Sequence, residues 1–146
     1  MIVPEREEGA MEKSYSFAEL VDIIRNLRSE NGCPWDREQT HESLKPCLTE
    51  ECEEVIQAID NKDDENLCEE LGDVLLQVLM HSQIAEEEGR FTIDDVINEI
   101  ARKMIRRHPH VFGDGHADTS AEVLLNWEEI KKAEKAAKAA KHHEIP

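Results

Sequence analysis

Apolar residues recur three and four positions apart along most of this chain, the spacing of helices that each bury one stripe. Phe17, Leu20, Ile23, Ile24 and Leu27 follow the N-cap candidate Ser16 and predict a first helix ending at Asn31-Gly32, with glycine supplying a left-handed terminus. A compact loop, Cys33-Pro34-Trp35-Asp36, comes next, its indole covering the end of the core or a ligand. Thr40 caps a second helix carrying Leu48, Cys52, Val55 and Ile59, which Pro46 is expected to kink or to begin. The third helix runs from about Asp64 to Glu88, bears Leu67, Leu71, Val74 and Val78, and stops at Gly89. Gly72 inside it costs about 1 kcal/mol relative to alanine, which asks for a close approach to its backbone. Thr92 and Asp95 open a fourth helix with Ile93, Val96, Ile97, Ile100, Met104 and Ile105. A last helix from about Ser120 carries Val123, Leu124, Trp127 and Ile130, then turns into a lysine- and alanine-rich stretch. The fold class is therefore all-α: an antiparallel bundle of about five helices around an αα-hairpin. Because such a hairpin with its flanking helices cannot cover both faces, dimerisation is expected to complete it.

The hairpin's acids set it apart. Glu50-Glu51-Cys52-Glu53-Glu54 and Glu69-Glu70-Leu71-Gly72-Asp73 flank a polar break at Asn61-Lys62-Asp63-Asp64. On a wheel centred on Val55, Glu51 lies about 40° and Glu54 about 100° from the middle of the buried stripe, while Glu50 and Glu53 point away. Glu70 and Asp73 take the same two places around Val74. Antiparallel helices bring together residues equidistant from their turn, and Glu51 with Asp73, like Glu54 with Glu70, lie symmetrically about Lys62. Glu51, Glu54, Glu70 and Asp73 therefore converge. Carboxylates so placed repel or take up protons unless a cation joins them, and oxygen-only ligands suit Mg²⁺, with Mn²⁺ as a substitute, rather than zinc.

Charge narrows the chemistry. The 146 residues suit one domain, and 34 acids against 17 bases leave a net charge of −17, which argues against nucleic acid or an anionic membrane as a partner. Four cysteines, Cys33, Cys47, Cys52 and Cys68, without C-x-x-C spacing, read as small core residues of a reducing compartment. No apolar run approaches a membrane span and the start lacks a signal-peptide core, so the expected location is the cytoplasm. Against this acidity Arg102, Lys103, Arg106 and Arg107 form one dense basic cluster, explained either by the helix dipole or by a phosphate clamp. With a carboxylate-held metal and an aromatic, Trp127 or Trp35, to stack on a base, the residues point to metal-dependent hydrolysis of a phosphorylated small molecule.

Four stretches carry a more specific likeness: GCPWDREQT (32–40), EECEE (50–54) with ELGD (70–73), RRHPHVFGD (106–114) and NWEEIKKAEK (126–135). Together they make the chain resemble the MazG family of nucleoside triphosphate pyrophosphohydrolases, from about Phe17 to Lys135. The resemblance implies a helical homodimer, or a higher homo-oligomer, that splits a nucleoside triphosphate into monophosphate and pyrophosphate with Mg²⁺. It matches Glu51, Glu54, Glu70 and Asp73 to metal-binding acids, Lys103, Arg106 and Arg107 to substrate-associated bases, and Trp127 to a tryptophan of the nucleotide site. Residues 1–13 then read as a flexible lead-in, 14–135 as the MazG-like domain and 136–146 as a polar C-terminal extension. Longer members carry two such domains in tandem; this chain carries one. The base preference, the number of metal ions and the general base stay open. Rival readings are a phosphoribosyl-ATP or selective dUTP/dCTP pyrophosphatase, a di-iron carboxylate bundle, and a non-catalytic acidic dimerisation module.

Overall fold

A computed structural model describes residues 13–143. Apart from Lys13, the expected lead-in over residues 1–13 lies outside the described residues, as do the last three positions of the expected extension. Every regular element among the described residues is helical: α1 (Phe17–Leu27), α2 (Pro34–Glu38), α3 (His41–Asp60), α4 (Asp64–Glu87), α5 (Ile93–Arg107), α6 (Pro109–Phe112) and α7 (Ser120–His143).

Local chemistry sets most of these boundaries. Ser16 and Glu19 exchange side-chain and backbone hydrogen bonds at 3.2 Å in a reciprocal cap that starts α1. Thr40 and Ser43 make the same exchange at 2.8 and 3.1 Å at the start of α3. Asp63 accepts from the Asn66 amide at 3.2 Å and starts α4. Two short helices occupy segments that the periodicity leaves without a helix. Pro34 opens α2 and Pro109 opens α6, their fixed φ preorganising a first turn too short to show a repeat. Pro46 does not begin α3, which has already started at His41.

Three glycines have different reasons. Gly89 closes α4 at φ 71°, as anticipated. Gly32 lies beyond the end of α1 at Leu27 and has no positive φ. A Cβ there would fall 2.6 Å from the Leu27 carbonyl carbon, so close approach, not handedness, is the requirement. Gly72 has nothing within 4 Å of a built Cβ, so no close neighbour within this chain accounts for it.

The turn between α3 and α4 is a Schellman closure. The Asp63 amide donates to the Ala58 carbonyl at 3.0 Å and the Lys62 amide to Ile59 at 3.1 Å, with Lys62 itself at φ 53°. The Gly89 terminus repeats the pattern, Arg90 donating to Ala85 at 2.9 Å and Gly89 to Glu86 at 3.0 Å.

The described residues fall into two compact units, one ending at Ile93 and the other beginning at Asp94. In the first, α3 and α4 pack on each other and α1 packs on α4. Val21 and Ile24 of α1, Leu44 and Ala58 of α3, and Leu79, Met80, Ile84 and Ala85 of α4 form its core with Ile93. Arg25 pairs with Glu86 at 3.0 Å and Arg28 with Glu87 at 2.7 Å along the α1–α4 seam. Arg28 also donates to the Asp36 and Gln39 carbonyls, tying α2 and the entry to α3 onto that seam. At the same end the His41 and His81 rings stack, with their Nδ1 atoms 2.7 Å apart. Arg90 donates to His41 Nε2, which places the His41 proton on Nδ1, donating to His81.

Burial corrects parts of the sequence reading. Ile56, Ile59 and Leu71 are more than half exposed, and Leu75, Leu76 and Val78 more than a third, so the hairpin's apolar surface near its turn is uncovered in the single chain. Trp35 is 60 % exposed and does not cover the core. Cys52 and Cys68 are exposed and Cys33 and Cys47 half-buried, so none is a core residue. No helix among the described residues is long and apolar enough to cross a membrane.

Lys62 carries a Cβ in the left-handed region, where glycine does not clash. Lys62→Gly is expected to stabilise the chain by about 0.5–1 kcal/mol and Lys62→Val to destabilise it, measured by urea unfolding.

Candidate functional site

Hairpin geometry sets the heights of the acids. Because α3 and α4 pack in register about the Lys62 turn, Glu51 and Glu54 of α3 meet Glu70 and Asp73 of α4. One carboxylate oxygen from each lies within 4.8 Å of every other. Glu51 Oε2 and Glu70 Oε2 are buried and have no hydrogen-bond partner. An orphaned buried carboxylate oxygen is costly, and its remedies are a proton or a cation. Both pressures show in the acidities. Burial, followed by the hydrogen bond and charge of Glu54, pushes Glu51 above the usual carboxylate range. Glu70 is pushed up to about 7, first by its hydrogen bond with Glu54, then by burial and by the charges of Glu54, Asp73 and Glu51.

A donor set made only of carboxylate oxygens fits a hard divalent cation. The group that the wheel selected is the group that the structure gathers, and Glu50, Glu53 and Glu69 stay exposed. The outer carboxylates need no partner because water solvates them.

The second unit holds the basic cluster. Lys103 and Arg107 are half-buried on α5, whereas Arg102 and Arg106 are exposed. Arg107 stacks on Trp127 of α7, its guanidinium carbon 5.2 Å from the ring centroid. His108 meets the same indole edge-on at 5.3 Å and is held through its Nδ1 by the Met104 carbonyl at 2.6 Å. Trp127 and Arg107 are thus brought together, as is Arg106 through an acid of the NWEEIKKAEK stretch that the sequence pattern did not single out. Arg106 Nε donates to Glu134 Oε1 at 2.7 Å and Arg107 Nη2 to Glu134 Oε2 at 2.9 Å. These bonds push Glu134 down to about 2. A signal for Glu134 was present: it follows Trp127 by two helical turns and therefore shares its face.

Comparison with known proteins gives a consistent result. Residues 39–112 match the family described as the MazG nucleotide pyrophosphohydrolase domain. The chain is 59% identical over 84% of its length to the nucleoside triphosphate pyrophosphohydrolase/pyrophosphatase MazG of Thermotoga maritima, covering 46% of that protein. It is 50% identical over 82% of its length to the nucleoside triphosphate pyrophosphohydrolase of Escherichia coli K12, again covering 46%. The uncharacterized protein YabN of Bacillus subtilis is 57% identical over 92% of this chain and 27% of its own length. The chain thus spans less than half the length of these curated relatives. Among solved structures, a mazG-related protein from Thermotoga maritima superposes with a TM-score of 0.64 at 32% identity, over 77% of this chain and 96% of that one.

The raised Glu70 pKa has a sign that can be measured. Between the ordinary value of 4.5 and about 7 the folded chain holds a proton that the unfolded chain has lost. This group's contribution to stability therefore declines as pH rises through that window. Calorimetric titration with Mg²⁺ at pH 7 is expected to release protons, seen as a binding heat that depends on the buffer's ionisation enthalpy. A heat independent of buffer would contradict a proton held on Glu70 at that pH.

Proposed function

The chain belongs to the MazG nucleotide pyrophosphohydrolase domain family, and on that premise we propose that it hydrolyses nucleoside triphosphates to monophosphate and pyrophosphate with Mg²⁺ held by Glu51, Glu54, Glu70 and Asp73. The observation that carries the proposal is the convergence of those four side chains, with two buried oxygens lacking a partner. Mn²⁺ has the same ligand preference and is expected to substitute.

Bound there, a divalent cation supplies Lewis acidity toward phosphate oxygens and a lowered pKa for water. The protein's own groups do the rest. Glu51 and Glu70, which the cluster holds above the usual carboxylate range, would be the ionised groups that hold such a cation, with Glu54 and Asp73 beside them. Lys103, Arg106 and Arg107 neutralise phosphate charge, the arginines through planar forks that match paired phosphate oxygens. The Trp127 indole offers an apolar face for a base, with Arg107 already stacked on its ring. Attack by water at the α-phosphorus, in line with the departing pyrophosphate, is the step this equipment serves.

A second copy of the chain is the partner that we propose for the uncovered hairpin surface. Ile56, Ile59, Leu71 and Leu75 form an exposed apolar set on packed helices, and pairing two hairpins makes a four-helix bundle. Sedimentation equilibrium is expected to give a dimer or a higher homo-oligomer, and Leu71→Glu to weaken it.

The test of the reaction is a panel of nucleoside triphosphates, with dUTP, dCTP and phosphoribosyl-ATP included, assayed with Mg²⁺ for monophosphate plus pyrophosphate. Orthophosphate as the main product would refute the reaction. Glu54→Ala and Asp73→Ala are expected to lower kcat by on the order of 100-fold or more with helicity retained. Trp127→Ala is expected to raise KM more than it lowers kcat. Wild-type turnover in both acid variants would remove the site assignment.

A further inference from the structure

Adjacent residues on a helix diverge by about 100°, so Arg106 and Arg107 do not share a target by default. In this chain they do, because one carboxylate gathers both. Arg106 Nε donates to Glu134 Oε1 at 2.7 Å, and Arg107 donates through Nη2 to Oε2 at 2.9 Å and through Nε to Oε1 at 3.4 Å. On its other side the Arg107 guanidinium lies against Trp127. Glu134 and Arg107 are each 17% exposed and Arg106 51%, so the acid and one arginine are sheltered while the other arginine stays open to solvent.

A guanidinium carries five N–H donors, and Glu134 uses only part of each set. The half-exposed Arg106 keeps its remaining donors toward solvent, and the trio keeps a net positive charge. Arg106 and Glu134 also line an open cleft of about 610 Å³ along α5 and α7, whose other charged residues are Glu99 and Lys138 and whose walls are Ile130, Ala133 and Ala137, so that Arg106 is reached from solvent. A purely structural staple between two helices would need one arginine.

We propose that Glu134 is a positioning residue of the phosphate site: it orients Arg106 and Arg107 toward a polyphosphate, and its charge weakens their hold on any anion they bind. The proposal rests on the reading of those arginines as phosphate ligands. Its two halves separate chemically. Orientation depends on the reach of the carboxylate to both guanidinium groups, whereas tempering depends only on its charge.

The experiment compares Glu134→Gln, which keeps size but loses charge, with Glu134→Asp, which keeps charge but loses reach. Pyrophosphate binding is measured by calorimetry without metal, and steady-state kinetics with a nucleoside triphosphate and Mg²⁺. Glu134→Gln is expected to bind pyrophosphate about fivefold to tenfold more tightly, as removal of one nearby charge implies, with kcat about tenfold lower and KM not raised. Glu134→Asp is expected to keep wild-type pyrophosphate affinity and lose kcat similarly. Should the Gln variant unfold, the Asp variant still decides the positioning role. Pyrophosphate bound no more tightly by a folded Gln variant, or wild-type kcat in the Asp variant, overturns the proposal. Absence of turnover in the wild type would sink the proposed reaction but leave the pyrophosphate comparison to judge Glu134. Turnover with unchanged pyrophosphate affinity would sink Glu134 alone.

Discussion

Mutual repulsion among Glu51, Glu54, Glu70 and Asp73 is the constraint on which the first unit depends. One carboxylate oxygen from each lies within 4.8 Å of the others, closer than carboxylates tolerate when all are ionised. Two rigid helices hold them there, and the helices are fixed at both ends. The Lys62 turn closes one end through its Schellman bonds, and the His41–His81 stack with Arg28 and Arg90 closes the other. Because neither helix can slip or splay without losing these contacts, the strain is relieved chemically. A proton on Glu70, whose pKa is pushed up to about 7, relieves it in part, and a cation held by the cluster would relieve the rest.

How much of this was legible in the sequence depends on the range of the interaction. Caps at Ser16 and Thr40 and the Gly89 terminus are local, and the residue types announce them. The acidic quartet was legible although it is tertiary, because a hairpin converts spatial pairing into symmetry about its turn. Burial was less legible. Leu71 and Ile59 have the spacing of core residues, but α1 packs on α4 where Leu79, Met80 and Ile84 lie, nearer its C-terminal end. Periodicity reports which face is apolar and not what covers it. The same limit explains Cys52 and Cys68, which occupy helical positions that the single chain leaves exposed.

Short helices and close approaches were illegible for another reason. With five residues in α2 and four in α6, no apolar period can be expressed, and only Pro34 and Pro109 mark their starts. Gly32 shows that a glycine near a helix end has two distinct causes. Its neighbour is the Leu27 carbonyl, brought back by the turn that follows α1, and only coordinates separate that from a left-handed cap.

In the second unit the informative residue is one that composition hides. Among 34 acids, Glu134 carries no distinguishing mark by itself. What singles it out is phase: two turns after Trp127 it returns to the same face of α7, the face on which Arg107 meets the indole. The sequence reading weighed the basic cluster between helix-dipole complement and phosphate clamp, and the observed pairing bears on that choice. A dipole complement needs no partner on another helix and no shared orientation. Two guanidinium groups drawn from diverging positions onto a single acid, one of them stacked on a tryptophan, have a defined geometry that the dipole does not require. On the proposal that these arginines hold phosphate, a carboxylate that orders them would make the site selective among anions rather than merely attractive to them.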